Sequence, residues 1–240
     1  MKYIPLKYIK EDPGVGNADD STDARESTGM LERLVADLRG QLAELSLGAE
    51  PLRRADVLLQ LGRALVRLEK RPEAWVAARE AFDLYLDEQA WEGAAQACDI
   101  LFLSDQPQSL AALGQGIWLA VTYPVDPELS VALLQRVVEE TPPEADGAAV
   151  AAVTAYYIVD LRARDPQREY LLLYANQVLA TVARRHSGVD GQQEFNKWIE
   201  DMELSDPALF LPRLRNVVDV LVQDDWWFDR DSLQAALPVT

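Results

Sequence analysis

The sequence predicts an all-α protein built from antiparallel helical hairpins stacked in series. Three observations carry this expectation. Apolar residues recur at three- and four-residue spacing along nearly every segment from Met30 onward. No stretch shows the two-residue alternation of a half-buried strand. The breaks between periodic segments are short and rich in Pro, Gly and Asp, and connections that short make successive helices antiparallel neighbours.

The first 29 residues stand apart. "EDPGVGNADDSTDAREST" has no apolar period and reads as a flexible tail. Ahead of it, "KYIPLKYIK" holds Lys2-Tyr3-Ile4 and Lys7-Tyr8-Ile9, one tripeptide written twice, with Pro5 excluding a helix across it. Tyr3, Ile4, Tyr8 and Ile9 make this a candidate docking segment, seated either on a partner or on its own chain. Residues 30–240 are expected to form one helical domain. In its first helix Leu31, Leu34, Leu38, Leu42 and Leu45 form a single apolar stripe. Helices follow at 52–68, from Pro72 to about 87, and then at 90–103, 108–122, 127–140, 146–163, 167–185, 191–202, 207–223 and 230–236. Pro72 suits a first helical turn, where its missing N–H costs nothing. Asp105, Asp126, Asp165 and Asp206 each sit near a helix start, as N-caps do.

A chain of 240 residues, 49% hydrophobic and 26% charged, can bury enough surface to need no metal or disulfide for stability. Its single cysteine, Cys98, lies in an apolar helical stretch and reads as a buried structural thiol. The net charge of −17, from 40 acids against 23 bases, argues against nucleic-acid backbones and anionic membranes as partners. With no apolar run near a membrane span and no secretory leader, the chain reads as soluble and cytoplasmic. Between Glu80 and Gln135 there is no Lys or Arg. That stretch is either a solvated acidic face or a docking surface for a basic segment.

Within Ala55–Glu88, Leu61-Gly62, Ala74 and Ala81 occupy the seventh, eighth, twentieth and twenty-seventh places of a 34-residue unit. The unit resembles the tetratricopeptide repeat, in which small residues at these places let helices approach closely. From Glu88 to about Ala120 the pattern is looser. Trp91 stands at the fourth place, Ala95 at the eighth and Gly114 at the twenty-seventh, but Pro107 takes the twentieth. Beyond about 125 only the pairing of helices persists. The resemblance implies a curved, tetratricopeptide-like solenoid whose concave face displays Asp56, Leu59, Arg63, Val66 and Arg67. It also implies a protein-binding module. One subclass of the family grips a terminal carboxylate with Lys and Asn, but here Leu59 and Arg63 replace them, so a basic or apolar ligand segment fits better.

Catalytic signals are few. His186, the single histidine, follows Arg184 and Arg185 at a helix end, where cations meet the negative pole of the dipole. No Cys/His set with zinc spacing occurs, nothing resembles G-x-S-x-G, and "GQG" at 114–116 lacks the strand that precedes a phosphate loop. The acid pairs Glu139-Glu140, Asp224-Asp225 and Asp229/Asp231 form no assembled site.

Near the C-terminus, "DDWWFD" sets Trp226, Trp227 and Phe228 among aspartates. It reads as a cap over the terminal helices (220–240) or as an exposed trap for a cationic peptide. Trp91 and Trp118 carry the same two readings of core or binding surface. The expectation is a non-enzymatic adaptor or assembly factor for a protein partner, without cofactor or metal, and with dimerisation through exposed solenoid ends open. A small-ligand regulator whose pocket the aromatics line is the alternative, and a carboxylate-based enzyme is a third.

Overall fold

The structure, a computed structural model, describes residues 7–9, 21–45 and 50–237, with backbone alone for 21–26. Tyr3 and Ile4 lie outside the described residues. Among those described there are eleven helices and no strand. These are α1 (Ser21–Glu44), α2 (Pro51–Arg67), α3 (Arg71–Asp87), α4 (Trp91–Leu103), α5 (Ser109–Thr122), α6 (Pro127–Glu140), α7 (Asp146–Arg162), α8 (Gln167–Ser187), α9 (Gln192–Asp201), α10 (Pro207–Val222) and α11 (Arg230–Ala235). From α2 onward the expected limits hold to within a residue or two. α1 begins at Ser21, inside the stretch read as tail: "STDAREST" has no apolar period but also no residue that breaks a helix.

Prolines open several helices. Pro51, Pro127 and Pro207 stand at first helical positions. Asp126 and Asp206 are N-caps, accepting from the amides of Glu128 and Ala208. Asp105 and Asp165 are not. Asp105 follows α4 in the left-handed region (φ 51°), where it closes that helix, and Pro166 takes the cap place of α8. Proximity to a helix start did not distinguish an Asp that ends one helix from an Asp that begins the next.

Neighbouring helices pack in chain order, giving an all-α solenoid of hairpins: α2 with α3, α4 with α5, α6 with α7. The even-numbered helices α2, α4, α6 and α8 also touch one another, whereas α3, α5 and α7 stand further apart. The array therefore curves with the even helices on its inner face. The hairpins close on small side chains. Ala74, Ala78, Ala81, Ala94, Ala95 and Ala112 are fully buried, and a Cβ on Gly62 would lie 3.1 Å from the Ile100 methyl. Cys98 belongs to the same core and has no disulfide partner.

The end of the chain corrects one expectation. α10 does not extend the stack beyond α9. It doubles back along the outer side and packs on α5 and α7. Gly114 makes the approach possible, since a Cβ there would lie 2.5 Å from a Val222 methyl and 3.3 Å from the Val218 carbonyl oxygen. Gly116, on the opposite face of α5, admits Cys98 of α4, whose Cβ would be 2.7 Å away. The "GQG" run is thus a packing device with a helix on each side.

Candidate functional site

The inner face is a ladder of polar side chains joining successive even helices. Arg63 of α2 donates to Gln96 of α4. Asp99 of α4 faces Arg136 of α6 at 3.7 Å. Gln167 of α8 donates to Glu128 Oε2 of α6 at 2.9 Å, and the Tyr174 hydroxyl donates to Gln135.

Lys7–Ile9 lies across this ladder. The Tyr8 amide donates to Glu128 Oε1 at 2.6 Å. The Arg63 guanidinium stands 5.7 Å from the centroid of the Tyr8 ring, within cation–π range. Ile9 is 5% exposed and joins the hydrophobic core. Burial raises the Tyr8 phenol above its ordinary pKa; Arg63 opposes this, and the Glu92 and Asp126 carboxylates reinforce it. One short stretch of peptide is therefore held by α2 and α6 together. Tyr8 and Ile9 of the candidate docking segment lie here against their own chain.

Glu128 is the centre of this arrangement. It is 1% exposed yet carries a carboxylate, which folding tolerates only with donors in place. The donors are the Tyr8 amide and Gln167, and the position at the start of α6 adds the positive pole of the helix dipole.

The expected groove residues divide. Leu59 is buried in the core, Val66 is half-buried, and Arg63 and Arg67 are exposed. Trp91 is half-buried and stacks on Tyr123 with centroids 4.1 Å apart and planes 11° apart. Trp118, Trp226 and Trp227 belong to the outer side. Trp227 meets Phe82 and Trp75 of α3 edge-on at 5.4 and 6.0 Å. Trp226 and Phe228 meet Trp118 of α5 at 6.2 and 5.3 Å. Arg79 sits 4.2 Å from the Trp227 ring and Arg230 4.8 Å from that of Trp226. Both tryptophans are half-buried and packed against the core. The aromatic triplet is thus a clasp of the outer side onto α3 and α5, not a lid over α8 and α9. Gln115, fully buried, locks it: its Oε1 accepts from the Trp227 amide at 2.9 Å and its Nε2 donates to the Asp225 carbonyl at 3.4 Å.

The acidic stretch has internal partners. Glu80 pairs with Arg54, Asp83 with Arg79, Asp105 with Arg71 and Asp99 with Arg136. Arginines from outside the stretch meet these four carboxylates. His186 lies at the end of α8, against Ser187, Asp146 and Trp198. Among the described residues no three His, Cys, Asp or Glu side chains converge as metal ligands would, and no helix is long and apolar enough to cross a membrane.

A second concavity, a cleft of about 520 Å³, opens between α7, α8, α9 and α10, walled by Tyr156, Tyr157, Phe195, Ile199 and Phe210 with Asp160 and Glu200 at its margin.

Sequence reasoning missed Glu128, Gln96 and Gln167. Glu128 follows Pro127 in a first turn, where acids are routine, and the glutamines carry no local signal. No family model matches the chain, and no curated protein or solved structure matches it.

Proposed function

We propose that this protein is a cytoplasmic, non-enzymatic adaptor or assembly factor that holds an extended segment of a partner protein in the inner groove of a tetratricopeptide-like array. One observation carries the reading: that groove holds a short stretch of peptide, bound through its main-chain amide, an aromatic ring and an aliphatic side chain. The approach of Gly62 to Ala74 supports the tetratricopeptide likeness, because these stand at the eighth and twentieth places, where the repeat uses small residues to bring its two helices together. Carboxylates tied up with arginines and caps, rather than paired in a cleft, suit a binding role better than a catalytic one.

The test is capture from the native host with the full chain as bait. A partner held by the wild-type chain should be lost with Arg63→Glu and Arg67→Glu on the inner face. It should be retained with Val76→Arg, which alters an exposed residue of the outer helix α3. Capture that survives the inner-face changes and fails with Val76→Arg would refute the reading.

The cleft between α7 and α10 favours a second reading, a regulator that binds a small ligand among Tyr156, Tyr157 and Phe210. Native mass spectrometry of freshly purified protein decides it. A mass excess lost on Tyr157→Ala supports the small-ligand role, and a bare mass counts against it.

A further inference from the structure

We propose that Lys7–Ile9 is a resident plug of the inner groove, and that the external ligand is a peptide segment of the same chemistry which displaces it. That ligand has an aromatic residue with a free main-chain N–H, a branched aliphatic residue after it and a basic residue before it. The inference rests on the adaptor reading of the groove.

Three observations define the ligand. The first is Glu128. A carboxylate buried to 1% exposure takes one donor from the protein's own Gln167 and the other from the Tyr8 amide. With the plug gone, Oε1 loses that donor and meets water instead, so a segment that seats there and shuts the water out again must bring a donor, such as a main-chain N–H, to the same place. A single main-chain hydrogen bond of this kind is indifferent to the side chain of the residue that donates it.

Side chains set the second and third requirements. Arg63 lies against the Tyr8 ring, and a ring face is what a guanidinium there recognises. Ile9 is sunk into the core beside it, which asks for a branched aliphatic one residue later. The surroundings add a preference for charge: the Glu92 and Asp126 carboxylates act on the Tyr8 hydroxyl, in a chain of net charge −17. A cationic residue preceding the aromatic, as Lys7 does here, is favoured by that field.

The plug's position in the chain makes it displaceable. A tethered segment acts at an effective concentration on the order of millimolar, so it can fill its seat with low intrinsic affinity. A free segment with the same groups competes only when its concentration or its additional contacts outweigh the tether. The sequence holds a second Lys-Tyr-Ile at residues 2–4, so a peptide of residues 2–10 presents the motif twice and serves as the probe.

The experiment uses the full chain with a protease site inserted between Ile9 and Ser21, cut only after folding and then separated from the released segment by size-exclusion chromatography. A fluorescein-labelled peptide of residues 2–10 is titrated in polarisation against the cut and uncut chains, together with a control peptide carrying Ser for each Tyr and Ile. The cut chain should bind the probe at least tenfold more tightly than the uncut chain and ignore the control. The uncleaved variant Tyr8→Ser, Ile9→Ser should show the same gain, and adding Glu128→Ala should remove it. Equal binding by cut and uncut chains with unchanged circular dichroism would overturn the inference, as would a cut chain that binds probe and control alike. Growth of a dimer on cutting would also overturn it, in favour of exchange between copies. Absence of any gain in probe binding, alongside partner capture that still depends on Arg63 and Arg67, would remove this inference and leave the adaptor reading standing.

Discussion

Gln115 shows how much one side chain holds in this protein. Its amide is fully buried on α5 and meets the backbone of the aromatic segment at two points, Trp227 N–H and Asp225 C=O. Gln115→Leu keeps the volume and leaves both backbone groups without their partner. The expected cost is about 1–3 kcal/mol, seen as a lower urea midpoint with a change in tryptophan emission, because Trp226 and Trp227 loosen together. An unchanged midpoint would mean that the rings alone hold the clasp.

The ionisable residues make a second claim at this scale. Burial, with the hydrogen bond that the Tyr85 hydroxyl donates to Asp56 at 2.5 Å, raises the Tyr85 phenol above its ordinary range, and burial does the same to the Cys98 thiol. Both groups stay protonated in the fold where the unfolded chain would ionise. Their stabilisation is therefore complete below the ordinary values, about 8.5 for a thiol and about 10 for a phenol, and is lost as pH rises beyond them. The urea midpoint should be level from about pH 7 to 8 and fall by about pH 10.5, less steeply in Tyr85→Phe. A midpoint that holds steady to pH 10.5 would contradict this.

At the scale of the helix, the glycines divide by what surrounds them. Gly40 lies within α1 with nothing within 4 Å of a Cβ, so Gly40→Ala should stabilise by about 1 kcal/mol through helix propensity. Gly116 faces the Cys98 Cβ at 2.7 Å, and that atom is fixed to the backbone of α4. Gly116→Ala should therefore destabilise by about 1–3 kcal/mol by forcing α4 and α5 apart. Thermal melts of the two variants should move in opposite directions, and a shared direction would show that the α4–α5 contact is not as close as described.

The same contrast explains what the sequence made legible. The limits of α2 to α11 follow from local rules, namely an apolar period and punctuation by Pro and Asp, and those rules hold wherever a helix has one buried stripe. The return of α10 across α5 and α7 does not follow from them. The sequence of α10 carries an apolar stripe at Val217, Val218, Leu221 and Val222 that predicts a buried face without saying what covers it, and the covering surface lies a hundred residues earlier around Gly114. "GQG" was visible from the start, but its meaning depended on a partner that only the tertiary arrangement supplies. The candidate site was half legible for the same reason. Tyr8, Ile9 and Arg63 stood out by repetition and by repeat position, whereas Glu128 and Gln167 matter only because the solenoid's curvature brings α6 and α8 to the plug.

For the molecule as a whole, the two ends of the chain take opposite sides of one curved array. The aromatic segment near the C-terminus clasps the outer helices α3 and α5, and Lys7–Ile9 lies against the inner helices α2 and α6. Arg136 meets Asp99 at a mostly buried position, and Arg54 and Arg71 meet Glu80 and Asp105 nearer the surface, so part of the acidic stretch is taken up in contacts within the chain. The most direct measurement is photo-crosslinking of the full chain with p-benzoylphenylalanine in place of Tyr8, followed by peptide mapping. Crosslinks within one chain to α2, α4 and the first turn of α6, around Arg63, Glu92 and Glu128, are the expected result. Crosslinks that fall only on the outer helices, or only between copies, would show that the inner groove does not hold this peptide.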